Sequence, residues 1–233
     1  MSIFAISDLH LTQDAGKKMD IFGTQWIDHF AKIAADWNKV VDAQDLVLVP
    51  GDLSWAMNIE EAKPDIAQIC GLPGKKLLLR GNHDYWWSSL TKVQQIIFHD
   101  TYLLQNDCFL YQNYLICGSR GWICPWDKNF TEADEKVMNR ECIRLKLSLD
   151  RAMERRTNDE QLIVMMHFPP IYPNLRETPY VSVLRQYPVS QVVFGHLHGS
   201  QISKADFDNI KKDGIEYHLV SCDYLDFQLK KII

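Results

Sequence analysis

Short apolar runs that alternate with helical patterns dominate the first eighty residues of the chain. The runs cover residues 2–7, 45–50 and 75–80, and each is followed by polar residues. Between them, residues 24–41 and 59–70 repeat apolar side chains at the spacing of an amphipathic helix. This order predicts a sheet of parallel strands covered by helices, in which ligands bind beyond the carboxyl ends of the strands.

The rest of the chain continues the alternation with shorter strands. Further strands are predicted at residues 102–104, 109–111, 114–117, 162–166 and 192–194, with closing strands within 216–232. The first three of these surround turns, which predicts an antiparallel section. Thr131 is expected to cap a helix that runs to about Arg156. No repeat, linker or low-complexity stretch is present, so we expect a single domain over residues 1–233.

Charge and composition argue against several classes of protein. A net charge of −5 disfavours bulk nucleic-acid binding, which needs a surplus of Lys and Arg. No apolar run approaches the ~18 residues of a membrane helix, and the N-terminus lacks the features of a signal peptide. We therefore expect a cytoplasmic protein with no membrane partner. Its six cysteines show no Cys-x-x-Cys spacing, which is typical of reduced, buried thiols.

Side chains of the types found at metal centres follow the predicted strand ends. They are Asp8, His10, Asp52, Asn82, His83, Asp84, His167, His196 and His198. Carboxylate, imidazole and amide groups together suit divalent cations such as manganese, iron, zinc or magnesium. A single histidine at a strand end is more often structural, but the ordered set favours a metal centre. Asp8 and His10 would point the same way if their strand continues, and the neighbouring glycines allow close backbone approach.

In chain order the motifs are Asp-x-His, Gly-Asp, Gly-Asn-His-Asp, His and Gly-His-x-His. With them, residues 8–198 resemble the calcineurin-like metallophosphoesterase superfamily. The resemblance implies an α/β fold, a four-layer α/β/β/α sandwich of two mixed β-sheets flanked by helices. It also implies one metal held by Asp8, His10, Asp52 and His198, and a second held by Asp52, Asn82, His167 and His196.

The resemblance implies a dinuclear phosphoesterase that hydrolyses a small phosphate ester by attack of a metal-bound hydroxide. His83 is expected to bind substrate or to protonate the leaving oxygen, and Asp84 to orient His83. Two alternatives stay open: a phosphodiesterase acting on a cyclic nucleotide or similar diester, and a non-catalytic metal-binding interaction module. The second alternative is disfavoured because such relatives usually lose ligands, and none is lost here.

Departures from family patterns narrow the choice of subgroup. Trp55, Ala56 and Met57 stand where phosphoprotein phosphatases carry Asp-Arg-Gly, so that phosphate-clamping arginine is missing. Purple acid phosphatases place a metal-binding tyrosine at the position of Trp55, and an indole cannot replace it. Leu-Arg-Gly-Asn-His does recur in phosphoprotein phosphatases, but Arg80 is interpreted as structural. Arg120 and Lys128 are interpreted as solvated surface charges, with contact to phosphate oxygens as the alternative.

Aromatic residues gather near the motifs: Trp55, Tyr85, Trp86, Trp87, Trp122 and Trp126. They are interpreted either as cover for the core or as an apolar wall that accepts the organic part of a substrate.

Overall fold

The computed structural model describes residues 1–13, 19–157, 159–173, 176–199, 202–208 and 210–233. Its first sheet contains four parallel strands and one antiparallel edge strand, in the order β13-β1-β2-β3-β4. These strands are β1 (Ile3–Ala5), β2 (Leu46–Pro50), β3 (Lys75–Leu79), β4 (Thr101–Leu103) and β13 (Lys230–Lys231). The predicted parallel core is confirmed, but β4 pairs with β3 in parallel and does not belong to an antiparallel section.

The second sheet has parallel strands at its centre and antiparallel strands at both edges, in the order β11-β12-β10-β7-β6-β5. Its strands are β5 (Phe109–Tyr111), β6 (Tyr114–Ser119), β7 (Gln161–Met166), β10 (Val189–Phe194), β11 (Ile210–Lys212) and β12 (Ile215–Leu219). Two further short strands, β8 (Ile171–Tyr172) and β9 (Arg176–Glu177), pair in antiparallel orientation apart from both sheets. The closing strands predicted within residues 216–232 correspond to β12 and β13, and the residues between these two strands include turns.

Helices cover the outer faces of the two sheets. They are α1 (His29–Val40), α2 (Ile59–Cys70), α3 (Leu90–Gln94), α4 (Glu132–Arg155), α5 (Pro179–Leu184) and α6 (Lys204–Phe207). Helix α1 starts later than the sequence suggested, because residues 24–26 form a separate 3-10 turn. The cap of α4 is confirmed, since Thr131 and Asp134 exchange side-chain to backbone hydrogen bonds.

Alternation along the central strands builds the layers. In β2, Val47 and Val49 pack with residues of α1 and α2, while Leu46 and Leu48 pack with the second sheet. In the second sheet, Val164 of β7 packs in the apolar cluster that includes α4. Because these strands are covered on both faces, their sequences are continuous apolar runs. The predicted four-layer arrangement of two mixed sheets flanked by helices is confirmed. None of the helices in the described ranges combines the length and apolarity needed to cross a bilayer.

Candidate metal centre

Left-handed backbone turns after β1 and β2 aim the first three predicted ligands. Strand β1 ends at Ala5, so the pleat of a continued strand does not align Asp8 with His10, as the sequence had suggested. Asp8, His10 and Asp52 instead adopt φ values of 58°, 45° and 54°. Such conformations are costly for residues other than glycine and concentrate at functional sites. Backbone bonds hold the two turns together, from Asp8 N to Gly51 O (3.1 Å) and from His10 N to Asp52 O (3.0 Å).

Two glycines allow the strand-end turns to pass close to the carboxylates. A Cβ on Gly81 would lie 2.1 Å from Asp52 Oδ1, and one on Gly195 would lie 2.5 Å from Asp8 Oδ2. No side chain fits at those distances. The expected close backbone approach at these motifs is therefore confirmed.

The structure brings the seven predicted metal ligands into one cluster. Asp8, His10 and His198 offer ligand atoms within 4.8 Å of one another, and so do Asp8, Asp52 and His167. The Oδ1 of Asn82 lies 2.7 Å from His167 Nε2 and 3.0 Å from His196 Nδ1. Ends of strands from both sheets thus supply the cluster.

Buried polar atoms in this cluster lack hydrogen-bond partners. Within the described ranges, both ring nitrogens of His10 and the Oδ2 of Asp52 have none. An unsatisfied buried polar atom is expensive and calls for an explanation. Burial also lowers the pKa of His10 to about 3 and that of His196 well below its usual value. Neutral imidazole nitrogens and unpaired oxygens can donate electron pairs to a divalent cation, which would satisfy these buried atoms.

A backbone contact at Nδ1 fixes the orientation of the His167 ring. Its Nδ1 lies 2.9 Å from the carbonyl oxygen of Pro50, which can only accept, so Nδ1 carries the proton. In the neutral ring, the Nε2 lone pair then faces Asn82 Oδ1 and, at 3.4 Å, Asp52 Oδ2. Three acceptors converge at this point, and they repel one another unless a proton or a cation lies among them.

Charge interactions in the cluster are strong. Burial opposes protonation of His167, but the carboxylates of Asp52 and Asp8 and the Pro50 carbonyl together outweigh it and raise the pKa of His167 to about 9. Burial likewise opposes ionisation of Asp52, but His167, His10 and the backbone N–H of His83 together outweigh it and lower the pKa of Asp52. Burial raises the pKa of Asp8, and the nearby Asp52 adds to this shift. The buried carboxylates therefore compete for positive charge, and the residues present fit a divalent cation.

His83 lies at the mouth of the cluster. Its half-buried ring is 4.5 Å from the Trp55 ring centre and 5.7 Å from the His10 ring centre. The Tyr85 hydroxyl lies 3.4 Å from the Nδ1 of His83. The backbone N of His83 donates a hydrogen bond to Asp52 Oδ1 at 2.8 Å. Burial lowers the pKa of His83. The His83 ring thus adjoins the proposed ligands, and the backbone N of His83 orients one of them, Asp52.

Asp84 has a different position from the one expected. Its carboxylate accepts hydrogen bonds from the backbone N of Gly81, Asp52, Leu53 and Ser54 and from Trp86 Nε1, at 2.7 to 3.2 Å. These bonds fix the turn that carries Asp52, and in the described chain none reaches the His83 ring. Burial, reinforced by Asp52, raises the pKa of Asp84 to about 6. Asp84 therefore positions the backbone of the metal cluster and does not orient His83.

Sequence reasoning missed several contacts to the cluster. Ser7 Oγ donates to Asp8 Oδ2 at 2.6 Å, and the Phe168 ring lies 4.0 Å from the His196 ring. Trp55 stacks on His10 at 4.7 Å with an interplanar angle of 19°. Adjacency to a motif is the only sequence signal for Ser7 and Phe168. Of the aromatic group, Trp86 and Trp87 belong to the core, which confirms the structural interpretation for these two.

Comparison with known proteins agrees with the motifs. The family model of calcineurin-like phosphoesterases matches residues 1–200. No curated protein sequence matches the chain significantly.

Solved structures share the fold at low sequence identity. Phosphopantetheinyl hydrolase from Mycobacterium tuberculosis has a TM-score of 0.57 and 13% identity, over 100% of this chain and 95% of that chain. A protein of unknown function from Aquifex aeolicus has a TM-score of 0.51 and 16% identity, over 99% and 95%. A purple acid phosphatase from yellow lupin (Lupinus luteus) seeds has a TM-score of 0.50 and 14% identity, over 94% of this chain and 43% of that chain.

The family match covers most of the chain and includes every predicted site residue. The solved structures agree on two mixed sheets flanked by helices, and the described residues contain Asp and His groups able to hold a metal ion. The chain therefore belongs to the calcineurin-like phosphoesterases, a family of metal-dependent enzymes that hydrolyse phosphate esters.

Proposed function

We propose that this protein is a dinuclear phosphoesterase in which two cations share Asp52. One cation would be held by Asp8, His10, Asp52 and His198, and the other by Asp52, Asn82, His167 and His196. One observation carries the proposal: the buried Asp52 Oδ2 has no hydrogen-bond partner within the described chain and lies between two histidines. It is 3.7 Å from His10 Nε2 and 3.4 Å from His167 Nε2, and these histidines belong to different ligand sets.

Asp8 gives further support for two adjacent sites. Its carboxylate converges with His10 and His198 in one group and with Asp52 and His167 in another. A single ion could not draw ligands from both groups and leave room for Asn82 and His196. Two ligand groups that meet at Asp8 favour two neighbouring cations, and the assignment of Asp52 as the shared ligand rests on the position of its Oδ2.

When bound, such a pair supplies an activated water and a clamp for the oxygens of an in-line phosphoryl displacement. The neutral amide of Asn82 limits the negative charge that faces an anionic substrate. His83 projects from the turn that fixes Asp52, so its ring would contact a phosphoryl oxygen or donate a proton to the leaving oxygen. The left-handed turns and the Asp84 hydrogen bonds hold these groups before substrate arrives.

The organic part of the ester would lie against Trp55. This side chain stacks on His10, adjoins His83, and lines a cavity of about 340 Å³ together with Ala56, Met57 and Pro64. An aromatic face beside the reacting groups binds apolar or planar leaving groups. The proposed substrate class is therefore a small phosphate ester with an organic group that can pack on an indole ring.

Hydrolysis of an aryl phosphomonoester and of its matched diester tests this function. Chelated protein should be inactive and should recover activity with manganese. Asp52→Asn should lower kcat/KM by ~10⁴-fold or more, because both cations are affected. Asp150→Asn, at a surface carboxylate paired with Lys146, is the control and should retain activity.

The ratio of the two rates decides between a phosphomonoesterase and a phosphodiesterase. Metal-independent turnover, or full activity in Asp52→Asn, would contradict the proposal.

A further inference from the structure

A polar cavity of about 340 Å³ is lined by none of the nine predicted site residues. Four arginines line it: Arg80, Arg120, Arg140 and Arg144. Arg80 follows β3, Arg120 follows β6, and the other two lie one turn apart on α4. We call this space the arginine cavity. Elements of both sheets and of the outer helix layer build it, so no local sequence pattern reveals it.

The arginine cavity has a large excess of positive charge. The one carboxylate among its lining residues is Glu141, whose side chain is 1% exposed. Its Oε1 lies 2.6 Å from Arg144 Nη1 and 3.7 Å from Arg120 Nη2. One carboxylate neutralises one of four guanidinium groups, and Arg140 and Arg144 are like charges at i,i+4 spacing. The lining of the cavity therefore has a net positive charge.

Hydrogen bonding shows the same deficit. Within the described ranges, the buried Nε atoms of Arg80 and Arg120 have no hydrogen-bond partner. Burial lowers the pKa of Arg120; Glu141 opposes the shift, and the neighbouring arginines add to it. Arginine nevertheless stays protonated in proteins, so the charge cannot be removed by losing a proton. An acceptor-rich anion would offset the cost.

The fixed guanidinium N–H donors and the small volume of the arginine cavity determine which anion can bind there. The Arg120 side chain is 16% exposed, and its guanidinium carbon lies 4.4 Å from the Trp122 ring centre. Stacking of this kind fixes the plane of the guanidinium group and leaves its edge available for paired hydrogen bonds. Planar pairs of N–H donors match the oxygens of phosphate. Ser88, Gln105, Asn106 and Ser119 add neutral polar groups to the lining.

We propose that the arginine cavity binds a phosphate-class oxyanion at a site separate from the metal ligands. Two links place it beside the metal cluster. Only Gly81 separates Arg80 from Asn82, and the carbonyl oxygen of Arg120 accepts hydrogen bonds from the backbone N of His167 (3.1 Å) and Phe168 (2.9 Å). The anion would be free inorganic phosphate or a second phosphate group of the substrate, since both present the same oxygens.

Calorimetric titration of metal-free protein with inorganic phosphate tests the site without relying on catalysis. Arg120→Gln should raise the Kd for phosphate about 10-fold or more, because it removes a paired, charge-assisted contact. Arg140→Gln, at an exposed position, should raise the Kd several-fold and keeps the test decisive if Arg120→Gln fails to fold. Arg151→Gln, elsewhere on α4 and paired with Glu154, is the matched control and should bind as the wild type does.

Two results would overturn the proposal. One is the absence of phosphate binding to metal-free wild-type protein at millimolar concentration. The other is an equal Kd in Arg140→Gln, Arg120→Gln and the Arg151→Gln control. Neither result depends on the proposed dinuclear chemistry, so failure of this site and failure of the proposed function are distinguishable.

The source of the anion is decided with metal-loaded enzyme, and this arm does rest on the proposed function. The substrates are an aryl phosphate and the same compound with a second phosphate group. If the cavity holds the second group, Arg140→Gln should lower kcat/KM several-fold on the bisphosphate alone. If it holds free phosphate, Arg140→Gln should leave the kcat/KM ratio of the two substrates unchanged while phosphate affinity falls.

Discussion

The metal cluster and the arginine cavity both receive residues from the end of β3, yet they are incomplete in opposite ways. In the metal cluster, the unprotonated ring nitrogen of neutral His10 and the Oδ2 of Asp52 are acceptors that lack donors within the described chain. In the arginine cavity, the Nε–H groups of Arg80 and Arg120 are donors that lack acceptors there. The first deficit calls for cations and the second for an anion.

This difference shows that the strand ends position the side chains of a site, while the chemistry of those side chains determines whether the bound ligand is a cation or an anion. Strand β3 runs directly into both regions, with Arg80 on one side of Gly81 and Asn82 on the other. The opposite charges also influence one another, since Asp84 opposes the effect of burial, which lowers the pKa of Arg80. Substitutions on either side should therefore separate metal binding, chemistry and anion binding.

The largest effect expected from a residue that is not a proposed metal ligand separates chemistry from metal binding. His83→Asn should lower kcat by ~10²–10⁴-fold with metal content unchanged, if the ring donates a proton. An activated aryl phosphate needs little protonation as it leaves, so it should suffer less than an alkyl phosphate. Steady-state kinetics and metal analysis measure the two effects. His99→Asn, at an exposed histidine with positive φ that asparagine tolerates, is the control.

Equal losses on both esters would instead assign His83 to the binding of phosphoryl oxygens. Loss of metal would show that the division of histidines into ligands and non-ligands is wrong.

A smaller effect is expected from the residue that positions the cluster. Asp84→Asn should weaken metal binding ~10–100-fold, because an amide offers one acceptor atom where the carboxylate uses two. At saturating metal, kcat should stay near the wild-type value. Competition with a metal-binding dye measures the affinity. Unchanged affinity with a loss of kcat like that of His83→Asn would show that Asp84 acts through His83.

The sequence predicted which side chains converge, because the candidate ligands follow strands in a fixed order. Apolar runs locate β2, β3 and β7, and parallel strands bring their carboxyl ends to one edge. It did not predict the left-handed turns at Asp8 and His10, since φ is set by contacts with the turn after β2. It also missed the role of Asp84, whose partners Asp52 to Ser54 lie 30 or more residues away.

The arginine cavity could not be predicted from the sequence. Its four arginines are spread over residues 80–144 and meet only when β3, β6 and α4 pack. Of the two interpretations of Arg120, the solvated surface charge is wrong, because the side chain is largely buried against Glu141 and Trp122, and contact with phosphate oxygens stays a prediction. A charged residue in a loop carries no sequence signal for such burial.

The smallest effect concerns stability. Arg140→Gln should stabilise the protein by ~0.2–0.5 kcal/mol in phosphate-free buffer, because it removes a like charge one turn from Arg144. For a chain of this size, the melting temperature should rise by about 1 °C. Phosphate should then stabilise the variant less than the wild type. Differential scanning calorimetry measures both effects, and a lower melting temperature than Arg151→Gln in phosphate-free buffer would contradict the expected repulsion.

Metal stoichiometry tests the central claim most directly. Protein reconstituted with manganese, dialysed and measured by plasma emission should contain close to two ions per chain. Asp52→Asn should retain well under one ion, because Asp52 is proposed to serve both sites. A wild-type content near one ion or below, with full phosphoesterase activity, would contradict a dinuclear centre that shares Asp52.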